Sequence, residues 1–376
     1  MAKVTLGEVA MEARETCKGD RSGFPTVGLE HITPGEIRLS EYDVGSDNTF
    51  TKRFHEGDIL FGRRRAYLKK AAIAPFEGIC SGDITVIRAI QDKMEPRLLP
   101  FVIQNDDFFD FAVGRSAGSL SPRVKWEHLK TYSFELPEMD KQRELADVLW
   151  AIEDTRAAYQ ELAVAMEELV KSQFVEMFGD PILNTHGWQK VSLSALAEIK
   201  IGPFGSLLHR EDYIVGGHPV VNPSHVHDGN IVIDEKLTIS ETKYKELSAY
   251  HLFENDVVLG RRGEMGRCAV VQTSGLLCGT GSMIIRTLGE VRADFLQKII
   301  SFPSFKKMLE DMAVGQTMPN LNVPIISRLE IIKPPNEVQN AYYAFVEQVD
   351  KSKLTIREIL KKNAAMKLAI LREYLK

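Results

Sequence analysis

Apolar residues fall along this chain in two different rhythms. Short runs such as Asp58-Ile-Leu-Phe, Ile84-Thr-Val-Ile, Asp256-Val-Val-Leu and Met283-Ile-Ile are bounded by Gly, Asp and Asn and predict strands. Pro96 to Val113 and Arg292 to Met312 carry apolar residues at helical spacing, so each set of strands has helices packed on it. The predicted class is α+β. From Lys141 to Phe178 the rhythm changes: Leu145, Ile152, Tyr159 and Met166 recur every seven residues, and Val148, Leu162 and Leu169 occupy a second heptad position that Thr155 interrupts. From Asn336 to the end, Phe345, Val349, Ser352, Ile356, Ile359, Asn363, Met366 and Ile370 alternate spacings of four and three. Both stretches predict long helices with an apolar seam, Ser352 and Asn363 being polar interruptions of the kind that set register.

The order strands, helix, strands, helix is a repeat. Val4-Thr5-Leu6 through Val9-Ala10 matches Val191-Ser192-Leu193 through Leu196-Ala197, and Gly35-Glu-Ile37 matches Gly229-Asn-Ile231. Glu56-Gly-Asp58-Ile-Leu-Phe-Gly62-Arg63-Arg64 matches Glu254-Asn-Asp256-Val-Val-Leu-Gly260-Arg261-Arg262, and Pro137 and Gln142 match Pro334 and Gln339. Order is preserved while the offset drifts slightly, the mark of one ancestral unit present twice. The predicted organisation is a globular domain over 1–137, a helix over 138–180, a second globular domain over 181–335 and a second helix over 336–376.

Charge sharpens this division. The net charge of −5 hides two nearly neutral globular parts, an acidic first helix (4 Lys+Arg against 11 Asp+Glu) and a basic second helix (8 against 5). A single amphipathic helix of that length needs a partner for its apolar stripe, and the opposite charges make the two helices partners for each other. Four cysteines without C-x-x-C spacing fit packing roles in a reducing compartment. The start of the chain lacks a signal-peptide pattern, and no apolar run is long enough to span a membrane, so a cytoplasmic protein is expected.

Candidate chemistry is confined to basic and amide-bearing loops. Arg63, Arg64 and Arg65 with Lys69 and Lys70 follow a predicted strand and a glycine, and Arg261, Arg262 and Arg267 take the same place in the second copy. Clustered cations on a turn suit phosphate contact. Arg115, Arg123 and Lys125 lie on a small polar loop that aligns with Gln316, Asn320 and Asn322; arginine can grip guanine and Asn or Gln can grip adenine, so these loops are candidates for base reading. Ser206, His209 and Arg210 lie in another glycine-containing segment that could approach a phosphate. Arg88 and Arg286 flank strands and are expected to be ion-paired. Asn222-Pro223-Ser224-His225 lacks the second proline and aromatic of an adenine-methylase loop and reads as a repeat feature. Asp234 with Lys236, and His225 with His227, are too sparse for a nuclease or metal centre, and no P-loop or G-x-S-x-G occurs. No catalytic residue and no metal site are predicted.

The whole order, together with Phe174-Val-Glu-Met-Phe-Gly179-Asp180-Pro181 and Gly202-Pro-Phe-Gly205-Ser206-Leu-Leu followed by Asp212-Tyr213, resembles the specificity subunits of Type I restriction-modification systems. The corresponding place in the first domain, Arg14-Glu-Thr-Cys17-Lys18-Gly19, departs from that pattern. The resemblance implies two target-recognition domains, each reading half of a split, asymmetric site in double-stranded DNA, held apart by two antiparallel helices in a pseudo-twofold arrangement. It further implies two modification (adenine methyltransferase) subunits docked on the helices, and restriction subunits for translocation and cleavage. S-adenosylmethionine, ATP and Mg are then expected on those partners and no cofactor on this chain. A Type IIB-like restriction enzyme would use a similar subunit, and a coiled-coil adaptor that binds no DNA is a third reading. If the helices set the distance between half-sites, one added turn in each, about 5.4 Å, lengthens the unread spacer by about one to two base pairs. Sequencing of the methylated motif checks this, and an unchanged spacer refutes it.

Overall fold

A computed structural model of the chain describes residues 1–19, 21, 23–45, 49–204, 206–313 and 320–375. It divides into two compact units, Met1–Val164 with Lys353–Lys376, and Ala165–Ser352. Each unit therefore takes in part of both long helices, where the sequence had set the helices apart as segments of their own. The reason is packing: Leu371 and Leu375 from the end of the chain share one core with Leu145, Ala146 and Leu149.

In the first unit, β1 (Ala10–Glu12), β2 (Ile59–Gly62), β3 (Ala71–Ile73) and β4 (Ile84–Ala89) form an antiparallel sheet in the order β1-β4-β2-β3. The second unit repeats it with β5 (Ala197–Ile201), β6 (Asp256–Gly260), β7 (Cys268–Val270) and β8 (Ser282–Thr287), in the order β5-β8-β6-β7. The middle residues of the central strands, Ile59-Leu60-Phe61 and Val257-Val258-Leu259, are apolar on both faces because both faces are covered. Ile59 and Phe61 enter the core beneath the helices while Leu60 enters a second core beneath a smaller sheet. Val257 and Leu259 against Val258 divide in the same way. The smaller sheets also correspond: Pro25–Val27 pairs in parallel with Gly78–Cys80, and His218–Val221 with Leu276–Cys278.

The predicted helical stretches are each broken once. Leu99–Ile103 and Asp106–Gly114 are separated by Asn105, whose side chain caps the second helix by accepting from the Asp107 amide. Ala293–Ile300 and Pro303–Met312 are separated by Phe302, held extended by the proline that follows it. Residues 222–225, expected as a repeat feature, form a short 3₁₀ turn from Pro223 to His225 that matches Leu29–His31. In both turns the histidine Nδ1 accepts from the backbone amide three residues earlier.

Two long helices complete the chain, α1 (Met139–Phe178) and α2 (Asn336–Tyr374). Within the first unit they run antiparallel: the Lys141 ammonium lies 5.1 Å from the Tyr374 ring, and Lys367 reaches Glu153 at 2.5 Å. Within the second unit the Tyr342 hydroxyl donates to the Val170 carbonyl at 3.2 Å and its ring meets Phe174 and Phe178. Of the predicted seam, Leu145, Ile152, Val349 and Ile356 are buried, and Tyr159, Met166, Phe345, Ile359 and Ile370 are half-buried. Leu162, Leu169 and Met366 are exposed instead. A strict heptad count assumes that each helix meets only the other, whereas Ala146, Leu149 and Trp150 turn α1 toward the first globular domain. Ser352 bonds back to the Gln348 carbonyl of its own helix, so it sets no register, and the Asn363 amide nitrogen is buried without a partner.

Each sheet is locked by a buried pair. The Arg88 guanidinium donates to both carboxylate oxygens of Asp58, at 2.6 and 2.7 Å, and Arg286 does the same to Asp256, at 2.8 and 2.7 Å. Both aspartates are buried and also accept a backbone amide, from His55 and Phe253. Asp256→Ala should destabilise the second unit by about 3 kcal/mol, because Arg286 keeps its charge without its counter-ion, and Asp58→Ala should cost the first unit less, since Arg88 also pairs with Glu15. Urea titration with limited proteolysis checks this, and a loss below 1 kcal/mol contradicts it.

Candidate nucleic-acid interface

The candidate turns begin where a central strand ends on a glycine. A Cβ on Gly62 would sit 3.0 Å from Leu29 Cδ2 and 3.1 Å from the Lys70 carbonyl, and one on Gly260 would sit 3.2 Å from Pro223 Cβ. Close passage of the 3₁₀ turn thus requires the small residue, and the arginines follow directly.

The structure brings together loops that are about sixty residues apart in sequence. In the first unit the turn at 63–65 meets the loop at 117–125. Val124 donates to the Arg63 carbonyl at 3.0 Å, Arg65 donates to the Pro122 carbonyl at 2.8 Å, and Arg64 bridges to Arg123. In the second unit Leu321 donates to the Arg261 carbonyl at 3.0 Å, Arg262 bridges to Asn320, and the Arg261 Nε donates to the Leu321 carbonyl at 3.0 Å. The loop carrying Ser206, His209 and Arg210 reaches the same place through Phe204, whose ring lies 5.9 Å from the Arg261 guanidinium. Asn322 serves as a helix cap, its side chain accepting from the Ile325 amide at 3.0 Å. Gln316 lies outside the described residues.

Several predicted cations are already engaged. Arg64 and Arg123 share the Asp83 carboxylate at 3.3 and 2.8 Å, and the two guanidiniums hold that carboxyl below its usual range. Lys69 pairs with Asp106, Lys70 donates to the Leu29 carbonyl, and Arg267 pairs with Glu264. Arg261 is buried, so it builds the turn and does not present its charge; burial and neighbouring Arg262 lower its pKa. Arg65, Lys125, Arg210 and Arg262 are exposed and have no side-chain hydrogen bond or ion pair among the described residues. Arg115 is also exposed, its guanidinium 5.4 Å from the Phe111 ring.

Arg65 is set apart by its backbone. It has φ +54°, in the left-handed region, and the repeat places Gly263 with φ +81° at the same point of the second unit. An arginine there costs about 1 kcal/mol that glycine avoids. Strain retained on an exposed, unpaired cation favours a role outside folding.

Sequence reasoning missed Asp83, which clamps the two loops, and Lys52, which joins Arg14, Arg63 and Lys125 around a cleft of about 340 Å³. Burial lowers the Lys52 pKa, and the Arg63 Nε is buried without a partner. Asp83 shows no motif, because its importance comes only from the two arginines that converge on it. Among the described residues no group of three His, Cys, Asp or Glu could hold a metal, and Arg88 and Arg286 are ion-paired as expected.

Comparison with known proteins gives the class. The family described as the Type I restriction modification DNA specificity domain matches twice, over residues 3–163 and 185–365, and the chain belongs to that family. It is 26% identical over 136 residues to the Type I restriction enzyme EcoDI specificity subunit of Escherichia coli, a match covering 33% of this chain and 30% of that protein. It is 20% identical over 346 residues to the Type I restriction enzyme MjaIX specificity subunit of Methanocaldococcus jannaschii, covering 84% and 78%. Among solved structures, the Type I restriction-modification S subunit from M. genitalium matches with a TM-score of 0.57 at 13% identity, over 100% of this chain and 96% of that one. A chain from a structure concerned with assembly and conformational transition of the type I R-M system matches with a TM-score of 0.58 at 20% identity, over 99% and 95%. These structural likenesses concern the fold. Specificity subunits are the non-catalytic, DNA-recognising component of such systems.

Asp83→Asn should loosen the clamp between turn and loop. Amide exchange at Val124 and Arg65 is expected to quicken about tenfold, the equivalent of about 1.4 kcal/mol. Unchanged exchange would show that the backbone bonds alone hold the loops. The same weakening is expected in the wild type at low pH. A carboxyl whose folded pKa is lowered contributes stability above its unfolded pKa and loses it as pH falls through the folded value.

Proposed function

We propose that each unit reads one half of a split, asymmetric DNA target through the edge where its arginine turn meets the polar loop. The observation that carries this is the same joining of two distant loops in both copies, on four-stranded sheets of the same strand order. The free, exposed cations differ: Arg65 and Lys125 in one unit, Arg210 and Arg262 in the other. Different side chains on a common frame predict different half-sites, and a nearly neutral domain with a locally cationic edge suits positioning on phosphates followed by reading of base edges. In this reading the long helices carry two modification subunits, which supply adenine methylation with S-adenosylmethionine, and restriction subunits supply ATP- and Mg-dependent steps. No helix among the described residues is long and apolar enough to cross a membrane, and the site of action proposed is the cytoplasm.

Long-read sequencing of adenine methylation, in cells holding this gene and its modification partner, tests the proposal. Arg65→Gly should relax the first half-site only and Arg262→Ala the second only, each by about 1–3 kcal/mol of discrimination. Arg65→Gly should leave folding stability within about 1 kcal/mol of wild type, since it removes left-handed strain. A motif unchanged by both substitutions, with the complex assembled, would overturn the assignment.

A further inference from the structure

The second unit contains a cleft of about 530 Å³ lined by Lys171 of α1 and by Asn230, Glu264, Arg267, Lys298 and Lys306. Asp228 also lines it, and the cations Lys171, Arg267, Lys298 and Lys306 outnumber the acids Asp228 and Glu264. Glu264 is shared between Arg267 at 2.8 Å and Lys306 at 3.2 Å, and Lys171 is exposed and pairs with Glu168 on its own helix. Lys298 is half-buried and has no hydrogen bond or ion pair among the described residues. Burial and the neighbouring charge of Lys171 hold its ammonium below the usual lysine range.

The matching groove of the first unit shows what a self-sufficient version looks like. It is lined by Glu153, Arg156 and Lys367, and there every cation has its acid. Glu153 takes Lys367 at 2.5 Å and Arg156 at 2.8 Å, while Glu36 takes Arg156 at 2.7 Å. The repeat puts Asn230 where the first unit has Glu36. Counting from the equivalent amides of Glu95 and Arg292, bonded to Gln142 and Gln339, it puts Lys298 where the first unit has the buried Phe101. One acid has become an amide and one aromatic has become a cation. Neither change improves folding, since a half-buried ammonium without a counter-ion is less stable than the ring it replaces.

We propose that this cleft of the second unit binds a phosphate group, held by Lys298 with Lys171 and Lys306 beside it, and that the first unit has no equivalent site. Several ammonium groups around one concavity suit a ligand with several anionic oxygens, and lysine binds phosphate as a point charge without the planar geometry a carboxylate fork needs. Gln297, Ser301 and Asn230 line the same space and add neutral donors. The inference does not depend on base reading by the loops.

The test is amine acylation of the full chain, read by mass spectrometry at Lys298 and at exposed Lys245 as a control. It is done with inorganic phosphate at millimolar concentration and, separately, with duplex DNA. Phosphate is expected to protect Lys298 several-fold and leave Lys245 unchanged. Lys298→Met should abolish the calorimetric phosphate signal without lowering Tm, because it removes an unpaired charge. If duplex DNA also protects Lys298, and the substitution lowers the salt dependence of DNA binding by about one phosphate contact, the ligand is a backbone phosphodiester. If only inorganic phosphate protects, the site takes a free phosphate or a small phosphorylated ligand. Unchanged acylation together with no phosphate signal overturns the site, whether or not the chain reads DNA, and failure to read DNA leaves a phosphate-protected Lys298 standing.

Discussion

A side-chain amide at the base of each long helix ties the globular domain to the helix. Gln142 is buried; its carbonyl accepts the Glu95 amide at 2.9 Å and its NH₂ donates to the Pro137 carbonyl at 2.9 Å. Gln339 makes the same pair, with Arg292 at 3.0 Å and Pro334 at 2.9 Å. Glutamine is suited to this because one planar group donates and accepts at once, satisfying backbone that strand-to-helix passage would leave unpaired. The orientation of each globular domain on its own helix segment depends on this joint. Removing it would bury an amide and a carbonyl without partners, at about 1–3 kcal/mol each.

From that joint outward the two units are built alike. A four-stranded sheet lies between two apolar layers, and an Arg–Asp pair ties its two central strands together at the end opposite the candidate turns. The interface then needs little of its own. Backbone hydrogen bonds between turn and loop, with the Asp83 clamp in the first unit, place exposed cations on a rigid frame, as expected of a site meant to discriminate between similar ligands. Of the candidate cations, fewer than half are free among the described residues, because carboxylates or backbone carbonyls hold most of the others.

The copies have diverged where a framework tolerates it. Arg65 occupies a left-handed position that the second unit gives to Gly263, Arg123 stands opposite Asn320, and an internally neutral groove in one unit has become a cationic cleft in the other. None of these changes disturbs the strands, since each lies at a loop or on a half-buried helix face. Duplication thus preserved the strands and their Arg–Asp pairs, and the copies diverged at loops and on a helix face.

Much of this was legible in the sequence. The repeat, the α+β class, the two long helices and the basic turns all follow from patterns within a few residues of each other, because strand and helix periodicity and turn residues act locally. Even the pairing of Arg88 and Arg286 could be anticipated from their positions beside strands. Tertiary structure alone decided the rest. It exposed Leu162, Leu169 and Met366 because α1 also packs on a globular domain, it buried Arg261, and it neutralised Arg64 and Arg123 through Asp83. It also joined loops about sixty residues apart and left Lys298 without an acid. Whether a charge is free depends on what distant segments place within about 4 Å of it, and no local pattern along the chain carries that distance.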